Sequence, residues 1–314
     1  MQELTKLIPD HTAGDPMNDS KWVRRSLRHL SDDLAKQGHQ ASPNTVARLL
    51  RGQGITPKAN RKDHAGPSHP DRNLQFEHIQ QQRETFAAAG LPAISVDGKK
   101  KELVGNFKNP GAAWCAKAQR VNTYDFINDA ECRATPYGVY DIQRNRGMVA
   151  VGTSADTGQF AVDNIEHWWN HEGHEAYPKA DKLLILADGG GSNGHRPRLF
   201  KSALQKFSNR SGLAITVCHY PTGASKWNPI EHRLFSQISI NWAGKPLTSL
   251  LVMLALIRGV TTKTGLRVSA WLNPKTYEKK VKVSNAEMEA MNLERLPICP
   301  KWSYTIRPQL PSGP

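Results

Sequence analysis

The chain has 314 residues, of which 38% are hydrophobic and 22% charged; this suits a soluble globular protein with one sizeable core plus a smaller module and excludes a disordered chain. A formal charge of +14 favours a polyanionic partner, because neutralising phosphates releases counterions. The longest apolar run, 250–257, is far shorter than the roughly 20 residues a membrane helix needs. The N-terminus lacks the basic start and apolar stretch of a signal peptide, so a cytoplasmic protein with no membrane partner is expected. Cys115, Cys132, Cys218 and Cys299 show no paired short spacing, which argues against zinc and disulfides and makes them reduced packing residues.

After a loose leader, Val23, Leu27, Leu30 and Leu34 recur at helical spacing and Gly38 stops the helix. Ser42 then caps a second helix, with Pro43 in its first turn and Val46, Leu49 and Leu50 inside. Two helices joined by a short turn form a candidate helix-turn-helix, presenting Asn44, Thr45, Arg48 and Arg51 to a major groove; an ordinary helical hairpin has the same pattern. This module is assigned to 1–56. A linker and a helix ending at Gly90 fill 57–90.

From residue 91 the pattern changes. "LPAISVD" (91–97), "KELVGNF" (101–107) and "GMVAVGTS" (147–154) read as three strands, with an irregular insertion over 108–138. A helix at 157–173 follows, and its paired tryptophans Trp168 and Trp169 read as core. Then come the strand "KLLILAD", a helix, the strand "LAITVCHYP" and a helix from Asn228. The order β-β-β-α-β-α-β-α is that of an RNase H-like mixed α/β sheet, assigned to 91–246. Residues 247–314 form a helical and mixed C-terminal extension.

In this order three acids fall at special places. Asp97 ends the first strand, Asp188 ends the fourth, and Glu231 enters the helix after the fifth. Separations of 91 and 43 residues mean that only the fold brings them together. Each also has a purely structural explanation. Asp97-Gly98 suits a turn, Asp188 suits the opening of a glycine turn, and Asn228-Pro229-Ile230-Glu231 suits a capping box. Taken jointly they point to Mg²⁺ held by hard oxygens, with Mn²⁺ as a substitute. Two such ions catalyse in-line phosphoryl displacement. Without metal, three adjacent carboxylates repel and at least one pKa rises. The glycines after Asp188 would let a nucleic-acid backbone approach, with the amides of Gly189 and Gly190 on phosphate. Lys226 is a candidate phosphate contact, Trp227 a staple at the helix entry or a base-stacking ring, and His219 and His232 are hydrogen-bonded supporters.

The stretches "SVDGKKKELVGNFKNPG", "TPYGVYD", "ADGGGSNGHRPRLFK" and "CHYPTGASKWNPIEHRLFS" closely resemble the Rhodopirellula-type DDE transposases of bacterial insertion sequences. The likeness runs from about residue 15 to 308. It implies an RNase H-like catalytic core, Mg²⁺-dependent cleavage and joining of DNA at element ends, and Asp97, Asp188 and Glu231 as the catalytic and metal-binding triad. It further implies double-stranded DNA as partner, assembly of several copies on that DNA, and a nucleoid location. Such proteins usually carry a further N-terminal DNA-binding region, which makes a shortened copy the expectation here. The competing readings are a DNA-binding regulator, whose acids are turn and cap residues, and an actin-like ATPase using the glycine-rich loop.

Overall fold

A computed structural model of the chain describes residues 4, 6, 12–14, 21–23, 25–58 and 69–309. Residues 59–68 of the expected linker, 310–314 of the extension and most of the leader lie outside them. The chain divides into two units, 1–65 and 66–314.

In the smaller unit, strands β1 (Thr12–Gly14) and β2 (Lys21–Val23) pair antiparallel. Helices α1 (Leu27–Lys36) and α2 (Pro43–Gly52) follow. Ser26 and Ser42 cap them, each hydroxyl accepting from the amide three residues on, so the predicted cap of α2 is present. Leu30 and Leu34 meet Val46 and Leu50 in a small core that also buries Leu4.

The larger unit opens with α3 (Arg72–Ala88), which buries Ile79 and Phe86 against one face of a nine-stranded sheet. Its central strands are β3 (Ala93–Gly98), β5 (Cys132–Asp141), β6 (Arg146–Gly152), β7 (Lys182–Ala187) and β8 (Ala214–His219), in the spatial order β6-β5-β3-β7-β8. β3, β5 and β6 form an antiparallel meander, while β7 and β8 add in parallel. The mixed α/β class is as expected. The second meander strand is not. "KELV" forms only the short β4 (Glu102–Val104), which pairs with the start of β5; the central strand is Cys132–Asp141, the end of the expected insertion. Pro136 and Gly138 disguised it as a turn. The carbonyl of Pro136 accepts from Lys99 N just past Gly98, the end of β3. The missing N–H points to that same side, where the ladder has already ended and the loss costs little.

Crossover helix α4 (Gly158–Trp168) continues through a π turn, Trp169–Gly173, and α5 (Arg198–Ser211) joins β7 to β8. Both pack on the face made by Ile94, Val96, Leu183, Ile185, Ile215 and Val217, with Trp168 and Trp169 buried there as expected. On the other face lie a π turn (Glu231–Phe235), α6 (Ser236–Asn241) and α7 (Leu250–Arg258). The C-terminal part supplies both sheet edges. β9 (Arg267–Asn273) pairs with β6, and β10 (Leu293–Arg295) and β11 (Ser303–Ile306) extend the sheet beyond β8; α8 (Asn285–Glu289) lies between β9 and β10. Cys218 and Cys299 are buried free thiols and Cys132 is half-buried, but Cys115 is exposed, against the expectation of a packing residue. No helix among the described residues is long and apolar enough to cross a membrane.

The Glu231 segment approaches the sheet closely because two strand positions lack side chains. A Cβ on Gly138 would stand 2.7 Å from Ile230 Cδ1 and from Phe235 Cε1, and one on Gly147 would stand 2.6 Å from Leu234 Cδ1. Gly138→Ala is therefore expected to destabilise the fold by about 1–3 kcal/mol through overpacking. Urea unfolding measures this, and an unchanged midpoint contradicts it.

Candidate active site

The acid at the end of β3 is placed by strand register. β3 and β7 run parallel from Ala93↔Leu184 to Val96↔Ala187, so the next pair in step is Asp97 and Asp188. The two side chains leave adjacent strands at the same level and on the same face. Asp97 and Gly98 are no turn: both are paired in the ladder with β5, opposite Gly138 and Tyr137. Asp188 keeps part of its structural explanation, since its Oδ1 accepts from Gly190 N at 3.3 Å.

Glu231 arrives by a different device from the expected capping box. Asn228 is buried and its side chain reaches β3, where Ser95 Oγ donates to Oδ1 at 2.5 Å and Nδ2 donates to Val96 O at 3.2 Å. The amide of Asn228 donates to Ser225 O rather than to a Glu231 carboxylate. In return Ser95 Oγ accepts from Ile230 N at 3.0 Å. A strand residue thus performs the capping, two positions before Asp97, and ties the start of the glutamate-bearing turn to the aspartate-bearing strand.

The electrostatics follow from crowding. Burial and then the charge of Asp188 push the Asp97 carboxyl up to about 8, with Glu231 and Asp156 adding to the rise against a 2.7 Å bond from Gly98 N. Burial raises Asp188, opposed by the Gly190 amide. Glu231 is raised chiefly by burial, with Lys99 opposing and Asp188 reinforcing. Lys99, which the sequence reading passed over, is the cation beside these acids; it pairs with Glu102 at 3.2 Å and lies over the Trp242 ring at 4.8 Å. As placed, no three His, Cys, Asp or Glu side chains converge closely enough to hold a metal ion among the described residues. The donor set nonetheless suits a hard divalent cation, because it is all carboxylate oxygen and carries charge that little else compensates. A buried Oδ1 of Asp156, with no hydrogen-bond partner, adds to that excess.

The glycine-rich loop is held from beneath. Nδ1 of His195 lies 3.0 Å from Gly189 O, Lys201 Nζ donates to His195 O at 2.6 Å, and Nε2 of His219 lies 3.0 Å from Asn193 O. Burial outweighs the two carbonyls facing the His219 ring and pulls its pKa down to about 4, so it is a neutral support. Gly191 has φ +69°, and a Cβ on Gly194 would stand 3.0 Å from Gly189 O, so both glycines serve the turn itself. Gly190 is exposed with open space where a Cβ would stand, and Gly189 is half-buried beside Tyr220 O. Lys226 is exposed, with its ammonium 5.4 Å from the centre of the Trp227 ring; His232 Nε2 meets Lys226 O. Trp227 meets Phe76 of α3 edge-on at 6.0 Å yet remains 55% exposed.

The remaining candidates lie in the smaller unit. Asn44, Arg48 and Arg51 are exposed on α2, whereas Thr45 is half-buried, with its hydroxyl 3.0 Å from that of the cap Ser42.

The sequence profile of the family described as "Rhodopirellula transposase DDE domain" matches residues 3–308. The chain belongs to this transposase family. No curated protein matches it in sequence. Among solved structures, the Mos1 Strand Transfer Complex aligns with TM-score 0.44 and 12% identity over 80% of this chain and 67% of that one. The Mos1 mariner paired end complex with Mn aligns with TM-score 0.42 and 14% identity over 80% and 68%.

The raised carboxyl has a measurable consequence. Folded Asp97 keeps its proton to about pH 8, while its ordinary pKa is 3.8. Across that window the unfolded chain binds fewer protons, so stability falls as pH rises. Asp97→Asn removes this loss. In EDTA its Tm should match the wild type near pH 4 and exceed it by about 5 °C or more at pH 8, as read by calorimetry. A gap that narrows with rising pH contradicts the assignment.

Proposed function

We propose that the larger unit is an RNase H-like nuclease and strand-transferase core that cuts and joins DNA at the ends of an insertion element, with Asp97, Asp188 and Glu231 as its catalytic carboxylates. The observation that carries this reading is the convergence of three chain-distant, mutually destabilising acids at one end of the sheet, in a chain of this transposase family. Turn and cap roles account for them only in part: Asp97 lies inside a ladder, the Asn228 side chain bonds β3 rather than the Glu231 turn, and Asp188 alone keeps a bond to its glycine loop.

The three carboxylates would hold Mg²⁺, with Mn²⁺ as substitute. Divalent cations bound there supply Lewis-acid activation of the attacking oxygen and stabilisation of the leaving one. The chain's own groups set the stage. Asp97 and Asp188 each turn one oxygen toward a local amide, the arrangement expected of carboxylates that repel one another until a cation draws them together. Lys99 offsets part of the charge on Glu231. Gly189 and Gly190 leave room for a phosphodiester beside Asp188, and the exposed ammonium of Lys226 offers it a counter-charge. In the first displacement, water forms a new P–O bond as the element's 3′-oxygen leaves and takes a proton. In the second, that 3′-hydroxyl forms a P–O bond to a target phosphate as the target's 3′-oxygen leaves and takes the proton.

The smaller unit is proposed as a helix-turn-helix reader of the duplex element end, with Asn44 and Arg48 toward bases and Arg51 toward phosphate. Thr45, engaged with Ser42, serves the cap first. Several copies would assemble on paired ends.

Purified Asp97→Asn, Asp188→Asn and Glu231→Gln should remain folded and lose at least about 100-fold in divalent-dependent nicking of element-end DNA. Nicking at the wild-type rate by any of them removes that residue from the mechanism. Arg48→Ala should weaken duplex binding by about 1 kcal/mol or more in a fluorescence titration while leaving Mn²⁺ binding unchanged; undiminished affinity contradicts the groove assignment.

A further inference from the structure

A fourth acid stands at the same end of the sheet. Asp156 lies in the loop leaving β6, immediately before Thr157, whose hydroxyl caps α4. Thr157 does the capping, so Asp156 is not needed for it. Its Oδ1 is buried and has no hydrogen-bond partner, and its Oδ2 lies 3.7 Å from where a Cβ on Gly98 would stand, next to Asp97. A buried acceptor oxygen without a partner is rare in native structures unless the group has another role.

A second group points to the same place from below. Tyr137 sits on β5 directly opposite Gly98, fully buried, with its ring edge-on to Phe160 at 5.8 Å. Its hydroxyl also has no partner, and it feels the charges of Asp97, Asp156 and Asp188 together. A phenol O–H is a donor, and the groups around it are acceptors that reach it only if they shift. Two orphaned atoms, one acceptor and one donor, thus border the space between β3 and the start of α4.

Building on the proposed metal-dependent reading of this site, we propose that Asp156 is a fourth carboxylate of the cation site, approaching from the α4 side, and that the Tyr137 hydroxyl positions the closed carboxylates by donating to one of them. This arrangement gives a role to the unpaired Oδ1 of Asp156 and the unpaired hydroxyl of Tyr137.

The test is Mn²⁺ binding to the full-length protein without DNA, by isothermal titration calorimetry and Mn²⁺ electron paramagnetic resonance. Melting in EDTA is measured alongside. Asp156→Asn should weaken Mn²⁺ binding about tenfold and Tyr137→Phe by a few-fold. Glu294→Gln, a charge loss at the exposed edge strand β10, should change nothing. In EDTA, Asp156→Asn should melt no lower than wild type, because it removes an uncompensated charge. Wild-type Mn²⁺ affinity in Asp156→Asn overturns the proposal, whatever its Tm, and leaves the three-acid reading standing. Absence of Mn²⁺ binding by the wild type itself overturns the three-acid reading and this one with it.

Discussion

The structure rests on one register. β3 and β7 are held in step by backbone hydrogen bonds, so residue 97 and residue 188 reach the same level on neighbouring strands. A slip of one residue would send one carboxylate to the opposite face of the sheet. The Ser95–Asn228 pair extends that discipline to the third acid, fixing the start of the Glu231 turn to β3 through bonds of 2.5 and 3.0 Å. Gly138, the ladder partner of Asp97, clears the space into which Ile230 and Phe235 settle. Ser95, Asn228, Ile230 and Phe235 are all buried, so the acids are mounted on packed elements.

That mounting has a cost at the acids themselves. The sheet brings together carboxyl groups whose charges oppose one another, and burial compounds it, lifting Asp97 to about 8. The chain as a whole is strongly basic, with formal charge +14. Under the proposed function the two charges divide the work: the basic excess would attract phosphate, and the acids would hold the divalent ions. The glycine-rich loop fits this division. Its carbonyls are held inward by His195, Lys201 and His219, while Gly190 stays exposed.

Much of this was legible in the sequence because local signals agreed with the tertiary outcome. Ser42 and Pro43 marked the start of α2, the apolar run before Asp188 marked β7, and the buried Trp168–Trp169 pair lay on a readable helix. The three acids could be singled out because each falls at the boundary of an expected element, Asp97 and Asp188 at strand ends and Glu231 at a helix start. What escaped notice depended on distant partners. β5 was hidden by Pro136 and Gly138, tolerable only because the β3 ladder ends beside one and the Glu231 turn packs on the other. Asn228 looked like a cap and is instead a bridge to Ser95, 133 residues away. Lys99 and Asp156 carry no local pattern that distinguishes them from ordinary loop charges. Their significance appears only when the sheet brings them to Asp97 and Glu231.

The most direct test of the central claim is a crystal structure of the full-length protein with Mn²⁺ and a short element-end duplex, using anomalous diffraction to locate the metal. The account predicts anomalous peaks within coordination distance of carboxylate oxygens of Asp97, Asp188 and Glu231, with a DNA phosphate in the same shell. Manganese bound elsewhere on the protein, with these three side chains still apart beside bound DNA, would contradict it.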